Sequence, residues 1–160
     1  MPATILDTIR ERLQSADVAF RELHHEPTYT SEESARVRGE PLRNGGKALL
    51  MKVGSDYRLF VLCADDKIDS GAVREHFGVR KMRFATREEL LAQTGLVPGS
   101  VPPFGHPVLP FELYVEAGVT QNERIAFNAG SLCDSIIMSR EDYLRIAQPR
   151  DVFSFAATGE

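Results

Sequence analysis

The sequence predicts a mixed α/β fold, with helices packed outside a mixed sheet or a partly closed barrel. Three observations predict it: helical and strand-like segments are interspersed along the chain, two adjacent apolar runs are typical of a buried hairpin, and the last third is mostly strand-like. A sheet with apolar faces must be covered by another layer, and the interspersed helices are the segments available to cover it.

The predicted helices begin at residues that can cap a helix N-terminus. Residues 30–33 and 86–89 read as capping boxes, in which the first hydroxyl and the fourth residue's carboxylate accept each other's backbone N–H. Thr4, Asp69 and Ser139 can cap three more helices. Glycine is favoured just past a helix end because it adopts the left-handed conformation without strain. The predicted helix ends are at Gly39, Gly78, Gly95 and the residue before Pro149.

Two consecutive apolar runs predict the central hairpin. Residues 48–53 and 57–64 are separated by Gly-Ser-Asp at 54–56, a composition that forms turns. Both runs are apolar almost throughout, so both strands are predicted to be buried on both faces. Further strands are predicted at residues 18–23, 82–85, 113–116, 124–128 and 135–138.

The composition is that of an ordinary globular protein. The 160 residues, 42% hydrophobic and 26% charged, are predicted to form a single domain, 1–160, with a substantial core. No apolar run approaches the roughly 18 residues of a membrane span, and residues 1–13 lack the apolar core of a secretory signal. The two cysteines, Cys63 and Cys133, suit a reducing compartment. We therefore expect a cytoplasmic protein that does not bind membranes.

The charge balance argues against strong, sequence-independent binding to nucleic acid. The net charge is −4, whereas neutralising phosphates requires a surplus of lysine and arginine on some face. Two local basic stretches remain candidates, although acidic residues are interleaved with both and each can be an ordinary solvated face. They contain Arg36, Arg38, Arg43, Lys47 and Lys52 in the first stretch, and Arg74, Arg80, Lys81, Arg83 and Arg87 in the second.

Lys47 stands at the start of the first apolar strand, after the flexible segment Asn-Gly-Gly at 44–46. Burial lowers the pKa of a lysine, and its compact ammonium is a good point charge for a phosphate or a polarised carbonyl. The alternative is a lysine at the sheet edge whose stem is covered while its ammonium reaches solvent.

Two loops are further candidates for a site. Residues 95–107 combine prolines, which stiffen the segment, with glycines, which let backbone N–H groups point outward together, as in an oxyanion or phosphate site. The alternative is a proline-stiffened surface connection. Residues 128–131 (Asn-Ala-Gly-Ser) are a weaker candidate, since many such turns are only turns.

Other chemistries have little support in the sequence. The adjacent His24 and His25 cannot both face one metal ion from a strand, and no partner lies at ligand spacing. Cys133 has no neighbouring histidine for nucleophilic catalysis. The glycine-rich nucleotide-binding patterns are missing. We therefore predict neither a metal nor a cofactor.

In this order, the segments resemble the YbaK/prolyl-tRNA-synthetase-associated domain family (YbaK/EbsC and ProX-like aminoacyl-tRNA deacylases). The resemblance spans nearly the whole chain. It rests on Thr30 at a helix start, 46–50 (GKALL), 95–99 (GLVPG), 103–105 (PFG) and 129–131 (AGS). The lysine and the GxxPG loop, at their separation, are its specific part.

The resemblance implies a mixed, barrel-like α/β fold and hydrolysis, in trans, of the ester that joins a small wrong amino acid to tRNA, chiefly tRNA for proline. Lys47 matches the essential lysine of the family and would hold the terminal phosphate or the ester. Amides near Gly99 in the GxxPG loop would stabilise the oxyanion, and water, with a hydroxyl of the terminal ribose as its helper, would attack the carbonyl. The implied partners are the tRNA acceptor end and prolyl-tRNA synthetase.

The site residues follow from the same resemblance. Thr30 sits where the family has a pocket-lining threonine, and a pocket lined by Leu49, Met51 and Phe104 would exclude larger amino acids. The predicted catalytic residues are Lys47 and Gly99, and the predicted substrate-binding residues are Thr30, Leu49, Met51, Gly95, Pro98, Phe104, Gly105, Asn128, Gly130 and Ser131.

Two positions depart from the alanine-specific branch of that family, which has Lys-Asn-Leu at the catalytic position and His-Pro late in the fold. The corresponding residues here are 47–49 (Lys-Ala-Leu) and 128–129 (Asn-Ala). Alanine, cysteine, serine, threonine and other small amino acids therefore all remain candidates. One alternative function is a binding module of the same fold that holds tRNA, a synthetase or a small prolyl-like ligand without turnover. The other is hydrolysis of another small ester or amide.

Overall fold

A computed structural model describes residues 4–157 of the chain. Residues 1–3, which begin the N-terminal stretch 1–13 discussed above, and residues 158–160 of the predicted domain lie outside the described residues. Within residues 4–157, no helix is both long enough and apolar enough to cross a membrane.

The helices begin and end where the local signals place them. Over residues 4–157 they are α1 (Ile5–Ser15), α2 (Ser31–Arg38), α3 (Ser70–Phe77), α4 (Arg87–Thr94) and α5 (Arg140–Ala147). Each N-cap hydroxyl or carboxylate accepts a backbone N–H from the following turn, as predicted. One detail was wrong: the Glu33 carboxylate accepts from the N–H of Tyr29 instead of Thr30, so the reciprocal half of that capping box is not made.

In the part of the chain that the structure describes, the strands form three separate sheets. They are β1 (Phe20–His24), β2 (Gly46–Val53), β3 (Asp56–Cys63), β4 (Lys67–Ile68), β5 (Met82–Phe84), β6 (Leu113–Glu116), β7 (Arg124–Asn128), β8 (Asp134–Ser139), β9 (Asp151–Phe153) and β10 (Ala156–Ala157). Short 3₁₀ helices cover Leu42–Asn44 and Ala117–Gln121. The sequence analysis did not predict β4, β9 and β10. Strands of two or three residues are too short to show an alternating pattern, and among the described strands of this length only β5 was predicted.

Strand directions confirm the mixed α/β class. The five-stranded sheet has the order β5-β2-β3-β6-β9, with the predicted β2–β3 hairpin antiparallel and the β3–β6 and β6–β9 pairs parallel. A three-stranded sheet has the order β1-β8-β7, and β4 pairs with β10. These sheets are open, so the barrel-like closure is unconfirmed.

A close approach between β2 and β7 brings the two larger sheets together. A single parallel bridge joins Gly45 to Ala126. A Cβ at Gly46 would lie 2.5 Å from a carbon of Ile125, so glycine at this position permits the contact. The N-terminal end of β2 is thereby placed beside the middle of β7.

The burial of the central hairpin matches its prediction only in part. Residues 59–63 of β3 are fully buried on both faces, between a core that contains Phe127 and an aromatic cluster around Phe60. Residues 47–49 of β2 are only half-buried. The reason is that β5 pairs with β2 only from Met51 onward, which leaves the first half of β2 as a sheet edge.

Candidate active site

A cleft of about 480 Å³ lies over this edge of β2. Its walls are α2, the start of β2, the loop over residues 95–105 and the end of β7. The described lining contains three cations, Arg38, Lys47 and Arg87, together with hydroxyl and apolar side chains, and it contains no aspartate, glutamate, histidine or cysteine.

Lys47 is half-buried in this cleft, and its ammonium is held by main-chain carbonyls. Nζ donates to the carbonyl oxygen of Ala64 at 3.4 Å and, in a shorter contact, to that of Asp66. An ammonium has three donors, so one N–H remains to face the cleft. Burial lowers the pKa of Lys47, and the nearby carboxylates of Asp66 and Asp65 oppose that shift. The two carbonyl contacts therefore hold the ammonium of Lys47 as a fixed positive charge.

The GxxPG loop presents Gly99 to the cleft in a left-handed conformation, with φ +88°. The side-chain amide of Asn128 donates to the Gly99 carbonyl at 2.6 Å, which fixes the direction of that peptide. Over residues 4–157, the Gly99 N–H has no protein acceptor. The backbone here can therefore donate a hydrogen bond to a ligand in the cleft.

Arg38, which the sequence reasoning placed only in a general basic stretch, is the main addition to the site. It is buried at the end of α2 and donates to Ser135 Oγ at 3.0 Å and to Asn128 Oδ1 at 2.9 Å. Burial lowers the pKa of Arg38 to about 10, so it stays protonated near neutral pH. In the sequence, a single local feature pointed to Arg38: it lies four residues after Ser34 and therefore on the same face of the helix.

The side-chain amide of Asn128 connects Arg38 to the loop over residues 95–105, because it accepts one hydrogen bond and donates another. Its amide oxygen accepts from Arg38, and its amide nitrogen donates to Gly99. The Ser135 hydroxyl accepts from Arg38 and is also within hydrogen-bond distance of His25 Nε2, at 2.8 Å. A buried polar network with satisfied partners holds its members in one arrangement.

Six of the predicted site residues are brought together in the cleft lining. They are Thr30, Lys47, Leu49, Pro98, Gly99 and Asn128. Thr30 is engaged as the N-cap of α2, where its hydroxyl accepts from the Glu33 N–H at 3.1 Å. A hydrogen bond between Thr28 and Ser34, 2.7 Å long, adds two buried hydroxyls to the same wall.

The other six lie outside the described lining and have structural surroundings. Met51 is buried in the aromatic cluster with Phe60. Gly95 is the left-handed end of α4. Phe104 packs edge-on against Phe127 in the main core, and a Cβ at Gly105 would collide with a backbone carbonyl.

Gly130 and Ser131, also outside the lining, stabilise the turn between β7 and β8. The Gly130 N–H donates to the Ser100 carbonyl at 3.0 Å, and the Ser131 hydroxyl accepts from the Cys133 N–H at 2.9 Å. From this turn, the side chain that lines the cleft is that of Leu132.

One group of side chains near Lys47 has the composition of a metal site. Ligand atoms of Cys63, Asp65 and Asp66 lie within 4.8 Å of one another. Arg43 already pairs with both carboxylates, at 3.2 and 3.7 Å, and burial raises the pKa of the Cys63 thiol. A metal-binding thiol must be deprotonated, so this group fits an ion pair with Arg43 better than a metal ion.

Comparison with known proteins gives consistent similarities. The profile of the family described as "Aminoacyl-tRNA editing domain" matches residues 25–146. The multifunctional Ser/Thr-tRNA deacylase ProXp-y of Escherichia coli is 38% identical over 136 residues, covering 81% of this chain and 80% of that protein. The prolyl-tRNA editing protein ProX of Acetoanaerobium sticklandii is 24% identical over 86% of this chain and 87% of its own length.

A proline–tRNA ligase of Shouchella clausii is 31% identical over 100 residues, which are 62% of this chain and 17% of that protein. Among solved structures, a candidate trans-editing enzyme for prolyl-tRNA synthetase superposes with a TM-score of 0.80 over 99% of this chain and 100% of its own, at 20% identity. The fold, the extent of the family match and the identity to ProXp-y lead to one conclusion. This chain belongs to the aminoacyl-tRNA editing domain family.

Proposed function

We propose that this protein is a trans-editing aminoacyl-tRNA deacylase that hydrolyses the ester of a small, wrongly attached amino acid, with tRNA for proline as the first candidate. The observation that carries the proposal is a cleft that combines the held ammonium of Lys47 with the N–H of Gly99, which has no protein acceptor within residues 4–157. The names of the relatives ProXp-y and ProX support the same activity.

In the proposed mechanism, Lys47 is an electrostatic anchor. Two carbonyl acceptors favour its protonated form, and its remaining N–H is free to bind the terminal phosphate or the ester carbonyl. A positioned charge in a partly water-excluded site stabilises the charge that develops as the ester is attacked.

The Gly99 N–H is proposed to receive the oxyanion of the tetrahedral intermediate. A donor aimed at a developing oxyanion is worth about 10²- to 10³-fold in rate. The Asn128 contact holds the Gly99 carbonyl, which belongs to the next peptide along the chain, and so restrains the loop on one side of the Gly99 N–H. A restrained loop is the preorganisation that such a donor needs.

The nucleophile is proposed to be water assisted by a hydroxyl of the substrate's terminal ribose. The described cleft lining offers no carboxylate, imidazole or thiol that could act as a general base. Attack breaks the bond between the ester carbonyl and the ribose oxygen, which leaves with a proton. An activated ester needs placement and charge stabilisation more than a strong base.

The cleft wall suggests which amino acids are accepted. Leu49, Val101 and Leu132 supply apolar surface, while Thr28 and Ser34 supply buried hydroxyls. A site with buried polar groups discriminates in favour of a ligand that can pair with them. We therefore propose serine and threonine ahead of alanine and cysteine, in agreement with the name of the 38%-identical relative.

We further propose that the protein acts as one domain, in the cytoplasm, on the acceptor end of tRNA. The identity with a segment of proline–tRNA ligase supports a functional association with prolyl-tRNA synthetase.

The test is deacylation of tRNA for proline charged in turn with serine, threonine, alanine and cysteine. We expect wild type to hydrolyse at least one, and Lys47→Ala to lose about 100-fold or more in rate while its thermal midpoint stays close to wild type, because no apolar core is removed. The matched control is Lys67→Ala, which removes an exposed lysine outside the cleft. Full activity in a folded Lys47→Ala variant would overturn the assignment, and binding without turnover would favour a non-catalytic module.

A further inference from the structure

A second concave surface, which we call the basic groove, is lined by Lys52, Gly54, Arg74, Arg80, Lys81, Met82 and Arg83. It encloses about 420 Å³ between the C-terminal end of β2, β5 and the end of α3. Its described lining contains five cations and no carboxylate, and the comparisons and the active-site proposal leave it without a role.

The cations of the groove are mostly uncompensated. Arg83 pairs with Glu89 through two contacts, at 2.7 and 3.0 Å. Over residues 4–157, the ammonium of Lys52 and Lys81 and the guanidinium of Arg74 and Arg80 have no carboxylate within 4.0 Å. Arg80 and Lys81 are also exposed. Charges of this kind are available to an external anion.

Strand pairing places two of the groove's cations next to each other. The β2–β5 register places Lys52 directly opposite Arg83. Like charges directly opposite each other on paired strands are destabilising. The backbone of the groove is nevertheless fixed, since the Gly54 N–H donates to the Lys81 carbonyl at 2.9 Å. The fold therefore holds two cations side by side on a hydrogen-bonded wall, Arg83 paired with Glu89 and Lys52 over the ring of Tyr57 at 5.7 Å.

The groove is connected to the active-site cleft by one short segment. Arg83 lines the groove, Arg87 lines the cleft, and between them Phe84 is 56% exposed. Cations interleaved with an exposed aromatic side chain are typical of surfaces that bind single-stranded nucleic acid. Along β2, the Cα atoms of Lys47 and Lys52 are five residues apart, which is about 17 Å at roughly 3.3 Å per residue. Because side chains alternate along a strand, these two lysines point to opposite faces of the sheet, so the surface that joins the cleft to the groove is the segment from Arg83 to Arg87.

The cations of the cleft and the groove are clustered even though the protein as a whole has more acidic than basic residues. Lysines and arginines number 19 against 23 aspartates and glutamates, yet the cleft and the groove together collect eight of the 19. At a phosphate spacing of about 3.4 Å along a helical strand, 17 Å corresponds to about five nucleotides. A strand whose 3′ end occupied the cleft and that continued over Phe84 would have its preceding phosphates near the groove.

We propose that the basic groove binds the sugar-phosphate backbone of the tRNA acceptor stem and so positions the aminoacylated 3′ end in the cleft. This inference rests on the proposed function, because it takes the cleft as the site of the ester. It assigns a distinct surface to the tRNA body and predicts that recognition through the groove is independent of base sequence.

The experiment compares two substrates carrying the same amino acid: full-length tRNA for proline and a short RNA oligonucleotide ending in CCA. The test variant is Arg80→Glu/Lys81→Glu, and the matched control is Arg21→Glu/Arg150→Glu, two exposed arginines outside both concavities with the same change in net charge.

We expect the ratio of kcat/KM on full-length tRNA to kcat/KM on the oligonucleotide to fall at least tenfold in the test variant. The ratio should stay within twofold of wild type in the control. The slope of log KM for full-length tRNA against log salt concentration should fall by about two, one for each lost phosphate contact. If the ratio and the slope were unchanged in the test variant, the proposed role of the basic groove would be wrong, while the proposed deacylase function would be unaffected.

Binding of uncharged tRNA, measured by fluorescence anisotropy, tests the groove separately. If wild type deacylates nothing, the proposed function fails, and the groove is then judged by affinity alone. Weaker binding by at least tenfold in Arg80→Glu/Lys81→Glu relative to the control supports it, and equal affinity overturns it.

Discussion

At the scale of single residues, the two carbonyl contacts of Lys47 distinguish between two possible roles of this lysine, a general base and a fixed positive charge. A general base must be neutral, whereas carbonyl acceptors and the charge of Asp66 favour the ammonium, even though burial lowers the pKa. The proposed role as an anchor therefore requires the protonated form, which is lost as pH rises through the lowered pKa.

The first prediction concerns this pH dependence. We expect the wild-type deacylation rate, after subtraction of spontaneous ester hydrolysis, to fall on the alkaline side at a pH below the ordinary lysine value of about 10.4. Lys47→Arg should retain measurable activity without that fall, because a guanidinium stays protonated there. Circular dichroism at each pH controls for unfolding. A wild-type rate that instead rose with pH, through a group missing in Lys47→Ala, would make Lys47 a base.

The second prediction concerns Arg38, a positioning residue that acts on the loop through Asn128. Arg38→Lys keeps the charge but loses the planar fork that reaches Ser135 and Asn128 together. Because a misplacement of about 1 Å can cost about 100-fold in rate, we expect kcat to fall at least tenfold while KM changes less than threefold.

The matched control for Arg38 is Arg36→Lys, an exposed arginine on the same helix. It should behave as wild type in both kcat and KM. A wild-type kcat in Arg38→Lys would show that the buried network is not needed to position the loop.

At the scale of elements, the loop over residues 95–105 is held by three separate parts of the fold. Asn128 on β7 holds Gly99, the turn after β7 holds Ser100, and Tyr143 on α5 donates to the Pro103 carbonyl at 2.6 Å. A loop with several such anchors is rigid enough to present backbone donors in a fixed direction.

The third prediction tests the Tyr143 anchor. Tyr143 is fully buried, so Tyr143→Phe leaves the Pro103 carbonyl without its partner, at a cost of about 1–3 kcal/mol in the free energy of unfolding. Urea denaturation would measure this loss. Tyr29→Phe is the control, since Tyr29 is 75% exposed and its hydroxyl has no protein partner over residues 4–157. Equal stability of the two variants would contradict the anchoring role.

At the scale of the whole molecule, the distribution of charge over the surface matters more for phosphate binding than the net charge does. The net charge of −4 argued against nucleic-acid binding, and yet folding brings Arg74, Arg80, Lys81 and Arg83 together with Lys52, which belonged to the other basic stretch. A local positive surface on an acidic protein attracts phosphates at short range while the remaining surface repels them. The double-reversal experiment above is the test at this scale.

The sequence by itself determined the features that depend on neighbouring residues. The five helix starts, the β2–β3 hairpin and the position of Lys47 at the start of a strand all follow from caps, turns and apolar runs within a few residues. The resemblance to the editing-domain family also rested on such local motifs, and the family match confirms it.

Only the tertiary structure decided which residues share a site. Arg38 and Asn128 are 90 positions apart in the sequence and are joined by a hydrogen bond. No local sequence pattern predicts a contact between residues so far apart. The same holds for Met51, whose place on β2 suggested the cleft but whose side chain packs in the aromatic cluster. Local hydrogen-bonding rules act over a few residues, whereas a cleft is assembled from distant segments by the packing of their apolar faces.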